Sequence, residues 1–170
     1  MSESFLSAPN LSAEDVLAWN DRSAQSWRTV IEQHPEILAI PCDIYGVPNV
    51  ALLLRHIVSA EVRYAQRLVG LPVSPLEAFL HSSAADLFDA HDRAIRSLRA
   101  ELGRPLNWDE PFAFQTISHG GARSTRKTIF FHALLHSIRH YAQLATLVRQ
   151  HGFQPPDALD YLFMNYEPIA

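Results

Sequence analysis

Histidine recurs at every fourth position near the end of the chain, at His132, His136 and His140. The surrounding segment, residues 128–150, contains no proline or glycine and is rich in apolar side chains, so it predicts a helix. Because a step of four residues advances only ~40° around a helix, the three imidazoles would share one face. Imidazole nitrogens arranged in this way can bind a divalent metal ion.

Helix geometry limits how many of these histidines can bind one ion. At a rise of ~1.5 Å per residue, His132 and His140 are ~12 Å apart. That distance is too long for two nitrogens that each bind the same ion at ~2.1 Å. One adjacent pair, either His132/His136 or His136/His140, can therefore contribute, and the spacing does not choose between the two. The remaining ligands must come from another part of the chain.

His56 is the best candidate for a third ligand, because it lies in a strongly apolar segment where a lone imidazole otherwise has no partner. Glu61 lies ~140° around the same predicted helix, so we expect it to orient other groups or to be a polar residue of the interior, not a ligand. The only cysteine, Cys42, cannot form a thiolate cluster and is expected to be unreactive. The other histidines are expected at the surface: His34, His81, His91, His119 and His151.

An alternative interpretation makes the three regularly spaced histidines ordinary surface residues or hydrogen-bonded core residues. For a single histidine this alternative would be the better one, because most polar core residues find ordinary partners. Three imidazoles on one buried face would be costly without partners, and a metal ion supplies a partner directly. The set of three therefore favours a metal site.

The composition indicates an ordinary globular protein. The 170 residues are 48% hydrophobic and 19% charged, which fits one domain spanning residues 1–170 with a core at about 13–165. A net charge of −4 argues against nucleic acid as a partner. We find no targeting segment and no apolar run of ~18 residues, so we expect no membrane association and a cytoplasmic location.

Four amphipathic segments are predicted to form helices, at residues 13–34, 49–68, 74–102 with a break at 81–83, and 128–150. Residues 111–117 and 122–126 resemble the strands of a small hairpin, joined through the turn at 118–121. A short terminal helix is expected at 158–165, with Asp157 as its cap. The fold class is therefore all-α, a four-helix bundle with a β-hairpin-like insertion before helix four.

Two stretches resemble the DinB/YfiT-like superfamily. The first is His56-Ile57-Val58-Ser59-Ala60-Glu61 followed by Leu68-Val69-Gly70, which is similar to the second-helix pattern of that family. The second is His132-Ala133-Leu134-Leu135-His136-Ser137-Ile138-Arg139-His140-Tyr141-Ala142-Gln143 followed by Leu147-Val148-Arg149-Gln150-His151-Gly152, which is similar to its histidine-rich helix. The resemblance covers about residues 13–165. Many members have Arg-Gly after the last histidine, where this chain has Tyr141-Ala142.

The resemblance implies an up-down-down-up bundle, often a homodimer, that holds nickel, zinc or a similar divalent ion through three histidines. By position these are His56, His136 and His140, which leaves His132 as a neighbour. Together with Glu61 and Gln143, His132 could orient ligands or move protons.

Some relatives are transferases or isomerases that use mycothiol, bacillithiol or glutathione. The resemblance thus implies a metal-dependent enzyme that activates a small thiol or water against a small electrophile. The alternatives are a non-catalytic metal-binding or stress-response protein, and a bundle without metal that serves as a dimeric interaction module. The metal, the thiol and the electrophile are not identified by the sequence.

Overall fold

The part of the protein that the structure describes is mostly helical and has one small antiparallel sheet. The computed structural model describes residues 10–116, 120–167 and 169, and of Ala158 only the backbone. The long elements are α1 (Ala13–Gln33), α2 (Val50–Val69), α3 (Ala84–Leu102), β1 (Pro111–Thr116), β2 (Gly120–Thr125) and α4 (Arg126–Gln150). The prediction of four long helices with a hairpin-like insertion before the last one is confirmed. His119, together with residues 117 and 118 of the predicted hairpin, lies outside the described residues.

The helices begin where polar side chains satisfy their free backbone N–H groups. Ser12 and Asp15 form a reciprocal capping box at the start of α1, and Ser83 and Asp86 form another at the start of α3. Asn49 caps α2 by accepting a hydrogen bond from a backbone N–H in the first turn. These local signals place the first residue of each helix and therefore set which side chains face inward.

Several predicted boundaries differ from the structure. Helix α1 differs by one residue at its end and α2 by one residue at each end, and β2 begins at Gly120, inside the predicted turn. Helix α4 begins at Arg126, two residues earlier than predicted, because the Thr125 side chain caps it. The segment before α3 forms only a short 3-10 turn, Leu76–Phe79. The predicted terminal helix is instead two 3-10 turns, Asp157–Leu159 and Tyr161–Asn165. Asp160 begins the second of these turns, and its carboxylate accepts a hydrogen bond from the Leu162 N–H at 3.2 Å, so Asp157 is not the cap of a longer helix.

Helix α2 packs against α3 and α4, and α1 packs against the same two helices. Their apolar side chains form two clusters. The loop-side core includes Trp27, Ile57, Phe88 and Tyr141 and receives the segment between α1 and α2. The hairpin-side core consists of Val16, Leu17, Ala65, Leu68, Ala94, Ile95, Leu98, Ile129, Phe130, Ala133 and Leu134.

A layer of buried polar side chains lies between the two cores along each helix. Helices α1 and α4 contribute first to the hairpin-side core and then to the loop-side core, whereas α2 and α3 contribute in the opposite order. Where the two cores meet, the helices bury Asn20, Ser23, Glu61, His91 and Ser137. Because buried polar groups need partners, this layer is where the interior carries specific electrostatic contacts.

Candidate metal centre

Three histidines from two packed helices converge. Helix α2 contributes His56, and α4 contributes His136 and His140. The Nε2 atoms of His56 and His136 lie 3.1 Å apart, and one ring nitrogen of each of the three residues lies within 4.8 Å of the others. Two nitrogens that bind one ion at ~2.1 Å are separated by roughly 3.0–3.4 Å. The donor set therefore fits a divalent metal ion.

Gln143 orients the imidazole of His140. The Nδ1–H of His140 donates to the Gln143 Oε1 at 2.7 Å, which leaves the lone pair on Nε2. That lone pair accepts a hydrogen bond from the Arg139 guanidinium at 3.0 Å. A hydrogen bond to the second ring nitrogen is the usual way in which a protein fixes the tautomer of a metal-binding histidine. Gln143, predicted to act in this region, therefore has a defined contact with the centre.

The histidines of this cluster are held in their neutral form. Burial, with the neighbouring charges of His140 and Arg139, lowers the pKa of His56 to about 4. Burial and the surrounding histidines lower the pKa of His136 to about 2. Burial and Arg139 also lower the pKa of His140. Neutral imidazole is the form that binds metal, so no proton has to be displaced at neutral pH.

His132 lies one helical turn before His136 and is not part of the converging group. Its ring centroid is 5.6 Å from that of His136, and its edge packs on Tyr64 of α2 at 4.9 Å. Spacing left two adjacent pairs open, and the structure brings His136 and His140 together with His56. His132 instead lines the space in front of the cluster.

Tyr45 covers one side of the centre. Its ring stacks on His56 at a centroid distance of 4.0 Å and meets the edge of His140 at 6.3 Å. Its φ of 57° lies in the left-handed region, which a residue with a bulky side chain rarely adopts. Strained backbone of this kind persists when the surroundings hold it, and it is concentrated at functional sites. The loop before α2 therefore places an aromatic ring directly against a candidate ligand.

An open cavity of about 350 Å³ adjoins the cluster. Its wall includes His56, His136 and Tyr45, and it extends along α2 past Ala60. A cavity of this size accommodates a small molecule. The candidate ligands therefore face a space that a substrate could enter.

The sequence-family model of the DinB family matches residues 1–168, nearly the whole chain. The chain belongs to the DinB family. No curated protein shows significant similarity to it. In the part of this DinB protein that the structure describes, no helix is both long and apolar enough to cross a membrane.

The prediction that His91 lies at the surface is wrong. Its side chain is fully buried, and its Nδ1 lies 2.7 Å from Oε2 of Glu61, which is also fully buried. The Nε2 of His91 lies 3.6 Å from the Asp21 carboxylate, an ion-pair distance. Burial alone would lower the pKa of His91, but the charges of Glu61 and Asp21 outweigh it and raise that pKa to about 9. His91 is therefore a buried imidazolium between two carboxylates.

Glu61 is hydrogen-bonded to His91, and no hydrogen bond or ion pair joins it to His56, His136 or His140. It belongs to the polar layer of the interior, one of the two roles predicted for it. The surface expectation is confirmed for the histidines His34, His81 and His151, which are exposed. Cys42 is half-buried and packs against the loop-side core.

A second group with ligand-type atoms consists of Asp21, His91 and Asp92. Its carboxylates are already engaged, because Asp92 accepts hydrogen bonds from Gln25 at 2.8 Å and Arg28 at 3.0 Å. This group is an ion-pair network that links α1 to α3. Among the described residues, no carboxylate forms a hydrogen bond or ion pair with His56, His136 or His140. The histidine cluster of this DinB protein is therefore chemically distinct from the ion-pair network.

The aromatic and cationic side chains around the cavity are not among the site residues predicted from the sequence. Arg63 and Arg67 lie seven and eleven residues after His56, and so on the same face of α2. The same helical spacing that drew attention to the histidines could have identified both. No comparable signal marks Tyr45, whose position depends on the fold of the loop.

Proposed function

We propose that this DinB protein is a metal-dependent enzyme that activates a small thiol or water against a small electrophile. His56, His136 and His140 would hold the ion, with nickel or zinc as the candidates. The convergence of three neutral imidazoles beside an open cavity carries the proposal. Three neutral ligands do not cancel the positive charge of an ion, and this favours an anionic nucleophile.

A divalent ion at this centre would supply the charge that lowers the pKa of a bound thiol or water. The residues of the chain prepare the centre for that role. Gln143 holds His140 in one tautomer, and Tyr45 restricts the ring of His56. His132 lines the cavity with its pKa lowered by burial and by Arg139, so it is neutral and able to accept a proton.

We also propose that the helices form an up-down-down-up bundle. The order in which each helix contributes to the two cores supports this connectivity, since α1 and α4 share one order and α2 and α3 share the other. A homodimer stays a prediction, which analytical ultracentrifugation of the purified protein would test.

The experiment that tests the function compares metal content and activity. Purified protein is analysed for bound elements, loaded with the metal found, and assayed with panels of small thiols and electrophiles. We expect turnover that requires both metal and the His136 side chain. Metal-replete protein that is inert throughout would support a non-catalytic metal-binding protein, and an unchanged metal content in His136→Ala would refute the proposed centre.

A further inference from the structure

Three arginines line the cavity in front of the histidines. Arg63 and Arg67 project from α2, and Arg139 projects from α4. Arg139 lies close enough to the cluster to lower the pKa of His56, His136 and His140 alike. Since the whole chain carries a net charge of −4, this concentration of positive charge is a local feature of the cavity.

None of these three arginines has a carboxylate partner within 4.0 Å among the residues that the structure describes. Five of the eleven other cations have such partners: Arg28, Arg99, Arg104, Arg126 and Lys127. With the described residues, each of the cavity arginines makes one hydrogen bond to a neutral acceptor, which leaves most of its five N–H donors available there. Within the described residues, no carboxylate therefore neutralises their charge.

Two of the guanidinium groups are held in place. Arg67 donates to the Gln115 carbonyl oxygen at 2.8 Å and stacks on the rings of Tyr64 and Phe114 at 5.1 and 5.7 Å. Arg63 donates to the Ser74 carbonyl oxygen at 2.7 Å. Planar, anchored guanidinium groups lose little conformational freedom when they bind an anion. The cavity is thus organised before a ligand arrives.

Arg139 differs from Arg63 and Arg67 in its exposure and in its hydrogen-bond acceptor. It is exposed and donates to Nε2 of His140, the lone pair that a metal ion would need. An ion bound through that lone pair would take the place of this hydrogen bond, and Arg139 would then have an additional N–H donor available next to the centre.

We propose that Arg63, Arg67 and Arg139 form a subsite that binds the carboxylate group of a small molecule at the metal centre. This inference rests on the proposed function, because it assigns the class of molecule that the enzyme accepts. Arginine pairs with carboxylates through two parallel hydrogen bonds, which fixes orientation as well as charge. The carboxylate belongs either to the thiol or to the electrophile.

Calorimetric titration with succinate tests the subsite, with succinamide as a neutral probe of similar shape. The metal-loaded protein should bind succinate at least about tenfold more tightly than succinamide, the change expected when hydrogen bonds to charged groups are lost. Arg139→Gln should weaken succinate binding by about tenfold. The matched control Arg96→Gln removes a charge from the exposed side of α3 and should leave binding unchanged.

Arg67→Lys is the second variant, because it keeps the charge but loses the planar fork and the stacking on Tyr64. It should also weaken succinate binding, with a circular dichroism spectrum like that of the native protein. Equal affinity for succinate and succinamide, or native succinate affinity in Arg139→Gln, would overturn the subsite. Metal content is measured in every sample.

The metal measurement separates the two proposals. Protein that binds no metal but binds succinate through its arginines refutes the proposed function and supports the subsite. Protein that holds metal through its histidines but does not bind succinate refutes the subsite alone. A third result would also refute the subsite: succinate binding is lost when the metal is removed, and metal-loaded Arg139→Gln binds succinate with native affinity. That result would place the anion on the metal.

A pair of thiols distinguishes the two sources of the carboxylate. If the thiol carries it, 3-mercaptopropionate should bind at least about tenfold more tightly than 2-mercaptoethanol and should be displaced by succinate. If the electrophile carries it, the two thiols should bind similarly, and succinate should bind together with 2-mercaptoethanol. Both results support the subsite.

Discussion

Raising the pH should destabilise the folded protein through His91, the imidazolium buried between Glu61 and Asp21. The pKa of His91 is raised from 6.5 to about 9 in the folded state. A raised pKa means that the folded state binds the proton more tightly than the unfolded chain does. The resulting stabilisation is therefore complete below pH 6.5 and is lost as the pH rises through about 9.

The magnitude follows from the difference between the two pKa values. One pKa unit corresponds to about 1.4 kcal/mol, so the full effect of His91 is about 3 kcal/mol. The interval from about pH 7.5 to about pH 9.5 isolates about 2 kcal/mol of it. Below this interval His56 and His136, whose pKa values are lowered, change stability with the opposite sign. Above it, Tyr141 contributes, because burial raises its pKa well above 10.

Urea unfolding across this interval, with a chelator present, measures the effect. The double variant Glu61→Gln/His91→Gln removes the imidazolium together with its closest carboxylate. Its free energy of unfolding should be nearly independent of pH where the native protein loses about 2 kcal/mol. His151→Gln, at an exposed histidine, should follow the native curve. Parallel curves for the double variant and the native protein would show that His91 is not protonated in the fold.

Three further changes probe the centre and its cavity. Gln143→Met removes the acceptor for the His140 Nδ1–H and should weaken metal affinity by about 10–100-fold in a competition assay with a chelator, whereas the exposed Gln150→Met should not. Tyr45→Gly and Tyr45→Ala should lose metal affinity equally, since both remove the ring stacked on His56. Thermal unfolding should nevertheless show Tyr45→Gly to be more stable than Tyr45→Ala by about 1 kcal/mol, because the left-handed backbone at this position suits glycine. Equal stabilities of the two variants would argue against backbone strain at Tyr45. Ala60→Leu should narrow the cavity and reduce activity at unchanged metal content, and full activity would place the substrate elsewhere.

The helices could be predicted from the sequence because their signals are local. Apolar periodicity, the capping residues Ser12 and Ser83, and the glycines after α2 and α4 all act within one or two turns. The spacing of the histidines in α4 is equally local, and so is the conclusion that one adjacent pair could bind an ion. The apolar segment around His56 predicts it as their partner, and the family resemblance selects His136 and His140 as the pair.

The remaining features depend on contacts between distant parts of the chain. His91 stands among charged neighbours on α3, a pattern typical of a solvated face, and its burial is favourable because the carboxylates of Glu61 and Asp21 come from two other helices. Tyr45 stacks on His56 from a loop in which its backbone has a positive φ. The residue type does not predict this conformation. The spacing places Arg63 and Arg67 on the face of His56, but the cavity that this face borders exists only once α2 and α4 pack together.

The metal content of the purified and loaded protein tests the central claim most directly. We predict about one divalent ion per chain, nearly none in His56→Ala, His136→Ala or His140→Ala, and native content in His132→Ala, with elemental analysis after desalting as the measurement. Native protein without bound metal, or a loss in His132→Ala as large as that in His140→Ala, would contradict a centre formed by His56, His136 and His140.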